Sequence, residues 1–496
     1  MLTPARPAFL HKTILFLLLT LIGLWPAIWS GGPLLFSDSP SYYRGGGIAL
    51  EAFERKLFPQ PATPTRSATA THKPENTPSV TGLRSLSFAV FTNVSMRTFG
   101  IFGTVALMSA LTAWLMLLFV AHLAPRAQAL VTLGTAGLTM MPFYAGQLMP
   151  DILAGVLILA AMILALRPEL PKSVVLILLA TMGFAILSHY AHLPLGLALG
   201  VALFIIFWRR GKRLGATLML APIALALLVN VGISLNVPTG NAGNTADADA
   251  SQATSQISAK LPSKKPSISI APARFPILLA RSLEDGPAMK YLQDVCPDPR
   301  FTICEIYDVF PSNAGAALWG KDSIHNRATP AQFRRIAEEE IPLLWGALKA
   351  YPLEQASALL ANTWTQFIRI GYPKVRSANI TLDGPKTLSF QITEVFNSTE
   401  RKALEYMQLT SLALAVLALL ANFRVMQGAL RSAFWVLLIA LVVNAAVCGG
   451  LSAPVNRYQG RIIWSVVLLG FTVWALRPGL GFFGNQHRRN QTGRKT

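Results

Sequence analysis

Four separated stretches of this chain place acids, imidazoles or guanidinium groups beside long apolar runs. Carboxylates can take a proton from a hydroxyl, and arginine forks can neutralise a phosphate. Such a set suits a polar or anionic substrate, because ionisable groups beside apolar spans usually line a polar cavity. The candidates are Asp38, Tyr42, Tyr43 and Arg44 in "FSDSPSYYRGG", Asp151 in "LMPDILAG", His189, Tyr190 and His192 in "LSHYAHLPLG", and Arg457, Tyr458 and Arg461 in "NRYQGRIIW".

The composition indicates a membrane protein. Hydrophobic residues make up 52% of the chain and charged residues only 13%, which is unusual for a soluble protein of 496 residues. Uncharged runs long enough to cross a bilayer recur, and lipid leaves their backbone amides no partner outside a helix. We expect an all-α polytopic membrane protein of about ten transmembrane helices, with a large extracytoplasmic loop domain of mixed helix and irregular structure. The expected spans are 13–30, 99–122, 128–147, 152–166, 173–188, 191–208, 214–236, 408–423, 432–450 and 462–476.

The distribution of basic residues predicts the orientation. With the N-terminus in the cytoplasm, the loops "APRAQ", "RPELPK", "RRGKR" and "NFRVMQGALR" are all cytoplasmic, and each carries Lys or Arg as the positive-inside bias requires. The segment 237–407 contains 18 Lys and Arg against 17 Asp and Glu and shows no such bias. The candidate residues then all fall at one depth, on the opposite face.

This topology divides the chain into three predicted parts. Residues 1–236 form a seven-span module that includes an outer loop at 31–98, residues 237–407 form the extracytoplasmic loop domain, and residues 408–496 form a three-span module with a basic tail. The first run is interpreted as an uncleaved span because no clean signal-peptidase site follows it. In the loop domain, the spacing of Cys296 and Cys304 permits a disulfide, which an oxidising compartment would favour.

Each candidate also has a structural interpretation. Asp38 lies in a turn and N-cap pattern, and Asp151 can begin the span that follows it. The spacing of His189 and His192 fits two metal ligands on one helical face, and it fits a structural pair equally well. Outer-side arginines such as those in "NRYQGR" either belong to a site or extend toward lipid phosphates.

The order of parts resembles the GT-C superfamily of membrane glycosyltransferases, which take sugar from a polyprenyl-phosphate donor on the outer side of the membrane. The resemblance rests on a first span, a long outer loop that opens with "DSPSYY", a second acid in "MPD", seven spans and a large outer segment. Many family members carry an adjacent acidic pair in the first loop, whereas Ser39 and Pro40 follow Asp38 here. The resemblance implies that Asp38 is the base and Asp151 a supporting acid.

The implied reaction is an inverting transfer to a glycolipid, polysaccharide or other envelope acceptor on the periplasmic side of a bacterial inner membrane. A carboxylate removes the proton of the acceptor hydroxyl, while arginines stabilise the departing lipid phosphate. The remaining candidates are assigned to substrate binding, with His189 or His192 as auxiliary donors and Tyr42 and Tyr43 against the sugar ring. No cofactor is predicted, and a divalent metal stays open.

The expected partners are a polyprenyl-phosphate sugar, membrane lipids and a glycan or glycolipid acceptor. Nucleic acid is excluded although the formal charge is +20, because the basic residues cluster in short segments between spans. Two other functions stay open. One is a secondary transporter or lipid flippase, although transporters place ionisable groups near the membrane midplane. The other is a membrane acyltransferase with His189 or His192 as base.

Overall fold

The computed structural model describes residues 6–58, 85–236, 275–296, 301–371, 376–394, 396–424 and 426–477. This part of the chain is mostly helical. The predicted domain boundary at residue 237 and the predicted basic tail after residue 477 lie outside the described residues. The helices of the N-terminal half are α1 Arg6–Trp29, α2 Ser39–Leu57, α3 Leu86–Phe99, α4 Gly103–Phe119, α5 Pro125–Leu138, α6 Met141–Ala145, α7 Asp151–Leu166, α8 Lys172–Leu187, α9 His192–Arg209, α10 Arg213–Leu218 and α11 Ala221–Asn236.

The C-terminal half holds further helices, one antiparallel pair of strands and a π-helical turn. In chain order these elements are α12 Ile277–Asp285, α13 Pro287–Val295, α14 Ile303–Ile306, α15 Ala314–Trp319, α16 Ile324–Arg327, α17 Pro330–Ala350, α18 Pro352–Ile368, β1 Arg376–Leu382, β2 Leu388–Glu394, α19 Ser398–Asn422, α20 Gly428–Ala445, the π turn Ala446–Gly450 and α21 Asn456–Ala475.

Helix α7 lies at the centre of the main bundle. Every residue from Asp151 to Ala165 is buried, and α4, α8, α9, α20 and α21 pack around it. A helix that is apolar on all sides must be enclosed, and here its neighbouring helices enclose it. The enclosed helix begins with a single carboxylate, so its first turn is the polar end of an otherwise apolar core.

Several helices have the length and composition of membrane spans. Among the residues that the structure describes, four qualify on their own, and the pair α3 and α4, bent by 105°, makes a fifth if it is counted as one span. Three shorter apolar helices, Asp151–Leu166, Lys172–Leu187 and Arg213–Val229, fall below that length. Each of the ten predicted runs overlaps a helix. Four to five of the described helices meet the criteria of length and composition for a membrane span. The four are Phe9–Trp29, His192–Arg209, Ser398–Asn422 and Gly428–Gly450.

Helices α12 to α17 form a small helical module around a core of its own, which includes Leu279, Leu292 and Ile336. Helix α17 begins with a capping box in which Thr329 and Gln332 satisfy each other's backbone amides. The buried carboxylate of Glu340 accepts hydrogen bonds from two amides at the start of α12. Within this module Cys296 and Cys304 are joined in a disulfide, which their spacing permits.

The expectation of an all-α fold is wrong for one segment. Strands β1 and β2 form an antiparallel hairpin in which Arg376 pairs with Glu394 and Leu382 pairs with Leu388. The segment 376–394 contains three Thr and two Ile, which favour strands, and Gly384 at its turn has a φ of +145° that suits glycine. Two short strands give a weaker periodic signal than the apolar runs around them, so the apolar pattern does not predict them.

Candidate functional site

The chain that follows α1 is held against two distant segments. The amide of Leu34 donates to Gly146 O at 2.9 Å, and the amide of Leu148 donates back to Leu34 O at 2.8 Å. The amide of Leu35 donates to Arg376 O of the hairpin at 2.8 Å. These bonds fix the backbone just before Asp38 beside the start of α7 and beside β1.

Asp38 occupies the N-cap position of α2 without acting as its cap. Its side chain makes no capping hydrogen bond to the helix, and Ser37 Oγ donates to its Oδ1 at 3.3 Å. The side chain is half-buried, and its carboxylate interacts electrostatically with the guanidinium of Arg457. The sequence pattern of a turn and cap is therefore present, but the carboxylate does not cap α2 and lies within electrostatic range of Arg457.

Asp151 is the acid on which both arginines of α21 converge. Its Oδ1 lies 3.3 Å from Arg461 Nη1 and 3.5 Å from Arg457 Nε, and the carboxylate is 1% exposed. The arginines are four residues apart and so share one face of α21. As the first residue of α7, Asp151 is also favoured by the positive end of that helix.

Arg461 is fully enclosed. Its Nη2 donates to Asn444 Oδ1 at 3.1 Å and lies 3.4 Å from Cys448 Sγ, which is in the π turn. The Asn444 amide in turn donates to Gln459 Oε1 and to Tyr458 O. π-helical turns are rare and often occur at functional sites, where they re-aim a side chain. Here the turn brings Cys448 against the guanidinium.

Arg457 is the more accessible of the two arginines. Its guanidinium carbon lies 4.0 Å from the ring centroid of Phe36 and 5.3 Å from that of Tyr458, and 12% of its side chain is exposed. Arg461 lies 5.3 Å from the same Tyr458 ring. Among the described residues, Arg457 Nη1 is buried without a hydrogen-bond partner. A guanidinium held between rings and a carboxylate, with one nitrogen unused, is suited to bind an oxyanion.

The two histidines differ in their surroundings. His192 is fully buried, its Nδ1 bonds to Ala185 O at 2.8 Å, and it interacts electrostatically with Arg461 and Asp151. Its Nε2 has no hydrogen-bond partner among the described residues. His189 is half-buried, accepts from the Ala191 amide, and its ring centroid lies 5.1 Å from that of His192. His192 therefore joins the cluster, while the neighbouring Tyr190 is 44% exposed.

The candidate residues on α2 lie apart from the cluster. Tyr42 is buried and packs edge-on against Phe88 at a centroid distance of 4.9 Å. Tyr43 is buried as well, and its hydroxyl donates to Gly384 O of the hairpin at 2.8 Å. Burial raises the pKa of the Tyr43 hydroxyl above its usual value. Packing thus occupies both rings that were assigned to a sugar, and Arg44 beside them is exposed.

Several members of the cluster were not among the predicted site residues. The Tyr144 hydroxyl donates to Arg457 O, and Trp464 Nε1 donates to Arg461 O. Gln147 is 1% exposed, and its Nε2 has no partner among the described residues. Asn444 carried a signal that could have been used, since a polar side chain inside an apolar run is a marker of function.

The described side chains do not form a cluster of metal ligands. Within the described ranges, no group of three or more His, Cys, Asp or Glu side chains lies close enough together to hold a metal ion. Asp151 pairs with two guanidinium groups, and Asp38 interacts electrostatically with one of them, so arginine is the partner of both acids. Comparison with known proteins finds no match among family models, curated proteins or solved structures.

Proposed function

We propose that this protein is a membrane glycosyltransferase of the GT-C type, which moves a sugar from a polyprenyl phosphate to a glycan or glycolipid acceptor. The observation that carries the proposal is the position of Arg457. Its guanidinium lies against Phe36 and Asp151, within electrostatic reach of Asp38. This arrangement supports a base and a phosphate-binding cation that act together although they come from distant parts of the chain.

Asp38 serves as the base. Its carboxylate is half-buried and does not cap α2. In the reaction it takes the proton of the acceptor hydroxyl, and the acceptor oxygen bonds to the anomeric carbon. The bond from that carbon to the phosphate oxygen breaks, and the polyprenyl phosphate leaves with the electron pair.

Arg457 binds the departing phosphate. Its Nη1 supplies a donor that no described residue uses, and the ring of Phe36 holds the guanidinium in place. Asp151 pairs with both guanidinium groups of α21, and Arg457 is the one of the two whose side chain is partly exposed. Arg461 is fully buried, so it and Asp151 act as positioning residues rather than as contacts to substrate.

The proposal includes a membrane arrangement. The ten apolar runs cross a bacterial inner membrane, both termini lie in the cytoplasm, and the cluster opens on the periplasmic side. The small helical module and its disulfide then lie in an oxidising compartment, which is where such bonds persist. Exposed Trp345 and Trp364 on α17 and α18 suit an interfacial position above the bundle.

The test compares envelope glycolipids and polysaccharides by mass spectrometry in cells that lack the gene. The cells are complemented with the wild type or with Asp38→Ala, Arg457→Gln, His189→Ala or the matched control Glu54→Gln, an exposed acid on α2. We expect a sugar to be lost in the first two variants and retained in the control. The alternative acyltransferase would be favoured by a different result. In that case Asp38→Ala and Arg457→Gln would leave the glycans as in the wild type, and His189→Ala would lose an acyl group.

A further inference from the structure

A second polar cluster lies at the other end of the bundle, where α9 ends and α20 begins. A groove of about 680 Å³ runs between these two helices. This volume is within the range of small-molecule sites, which extends from about 300 to 1,000 Å³. None of its lining residues belongs to the cluster around Asp151, so the groove is a separate feature of the molecule.

The lining of the groove changes from polar to apolar along its length. Arg209, Arg210 and Ser432 line one end, where the end of α9 meets the start of α20. Ile205 and Ile439 line the groove further along the same helices. The two helices run in opposite directions, so the end of α9 lies beside the start of α20. That end of the groove is cationic, and the rest of the groove is lined by apolar side chains.

The guanidinium of Arg210 is fixed in place but not fully used. Its Nη2 donates to Ala165 O at 2.9 Å and to Ser432 Oγ at 3.2 Å. Its Nη1 is buried and has no hydrogen-bond partner within the described part of the chain. The first turn of α20 opens at the same end without a side-chain cap, and free amides at a helix N-terminus favour anions. A cation and a helix terminus thus face the same end of the groove.

We propose that the groove binds one anionic phospholipid, with its phosphate headgroup at Arg209 and Arg210 and an acyl chain between α9 and α20. The match is one of charge and polarity, since basic pockets between membrane helices suit anionic headgroups. No acid is among the groove's lining residues. The chain's own terminal segments are poor occupants, because residues 1–5 and 478–496 contain no Asp or Glu.

The test measures lipid binding by the full-length protein, purified in detergent and stripped of lipid, with native mass spectrometry. The probes are phosphatidylglycerol, phosphatidylcholine with the same acyl chains, and inorganic phosphate as a competitor. We expect phosphatidylglycerol to bind more tightly than phosphatidylcholine, and inorganic phosphate to leave it bound. Complete displacement by inorganic phosphate would overturn the proposal, because it would mean that the arginines hold a free anion without a lipid chain.

Variants separate the two ends of the groove. Arg210→Gln should weaken phosphatidylglycerol binding about tenfold, as expected for the loss of a hydrogen bond to a charged group. Arg209→Gln changes an exposed residue and should weaken it without loss of fold, and Ile439→Trp should weaken it by filling the apolar end. Arg126→Gln, which removes an exposed charge from α5 outside the groove, is the matched control.

The proposal fails if Arg209→Gln and Ile439→Trp bind phosphatidylglycerol as the wild type does. It also fails if the wild type dimerises through this face, which would appear as a dimer that Ile439→Trp converts to a monomer with lipid binding unchanged. Size-exclusion chromatography of each variant reports both the fold and the oligomeric state.

Discussion

Asp151 Oδ1 and Arg461 Nη1 lie 3.3 Å apart at the end of the helical bundle where α7 begins, and each side chain is only 1% exposed. The two residues are 310 positions apart in the chain, so this pair joins α7 to α21. Charges taken out of water are tolerated only when partners surround them. Asn444, Cys448 and Arg457 supply those partners, and the whole cluster therefore depends on the pair.

Removal of one member of this pair should cost far more than removal of both. Asp151→Ala leaves two guanidinium groups buried without their carboxylate, and we expect a loss of about 3–5 kcal/mol in the free energy of unfolding. Asp151→Leu combined with Arg461→Met leaves no unpaired charge at that pair and should cost less than Asp151→Ala. Thermal unfolding in detergent of Asp151→Leu, Arg461→Met and the double variant measures the difference. A loss in the double variant equal to the sum of the two single losses would show that the pair is not coupled.

The packing of Trp464 on α7 leaves no room for a side chain at Gly155. A Cβ added there would lie 2.6 Å from Trp464 Cζ2, on a ring that is fully buried. Gly155→Ala should therefore destabilise the protein by about 1–3 kcal/mol. The control is Gly137→Ala on α5, where an added Cβ has no described atom within 4 Å and the change should be neutral or stabilising. We expect the melting temperature of Gly155→Ala to fall, and that of Gly137→Ala to stay the same or rise.

The disulfide should stabilise the small helical module. It closes a short loop, with a sequence separation of 8, and loop-closure entropy predicts about 2–3 kcal/mol for a loop of this size. A Cys296→Ser and Cys304→Ser double variant should be cleaved faster by chymotrypsin within residues 275–371. Dithiothreitol should speed cleavage of the wild type and leave the variant unchanged. Cleavage of the wild type at the same rate with and without reductant would contradict this role.

The stability of the small module should fall at high pH through Tyr307. Its hydroxyl donates to Asp322 O at 2.6 Å, and burial, followed by the nearby Asp322, raises its pKa to about 12. The folded state therefore favours the protonated phenol, so this contribution is complete below about pH 10 and is lost as the pH rises toward about 12. Tyr307→Phe should flatten the decline in urea midpoint over that range, measured by near-UV circular dichroism. If the urea midpoint of Tyr307→Phe declines as steeply as that of the wild type, titratable groups other than Tyr307 cause the loss of stability.

The sequence predicts the helical segments well because apolar runs without charges leave the backbone few alternatives to a helix. Each of the ten runs overlaps a helix, and the helix that starts after Thr329 follows its capping box. The hairpin at 376–394 was missed because short strands carry little periodic signal. Likewise, no pattern in "NAAVCGG" indicates that its backbone widens into a π turn.

The site could be predicted only in part. The predicted spans put Asp151 and Arg461 at one depth, but the distance between them and their burial depend on how α7 and α21 pack. Tyr42 and Tyr43 illustrate the limit, because residue type alone does not distinguish a ring that binds sugar from one that packs. The glycines at 45–47, which follow on the same helix, indicate close packing of α2. A Cβ at Gly46 would lie 2.1 Å from Ala89 O, so these glycines let α2 pack tightly on α3.

The central claim is that Asp38 acts as a base next to a phosphate bound by Arg457. The most direct test reconstitutes the protein in liposomes with a labelled polyprenyl-phosphate sugar and an acceptor identified from the envelope comparison. The measurement is kcat for the release of polyprenyl phosphate. We expect Asp38→Asn to lower kcat by about 100- to 10,000-fold with little change in KM, while Glu54→Gln keeps the wild-type rate. An unchanged kcat in Asp38→Asn would contradict the account.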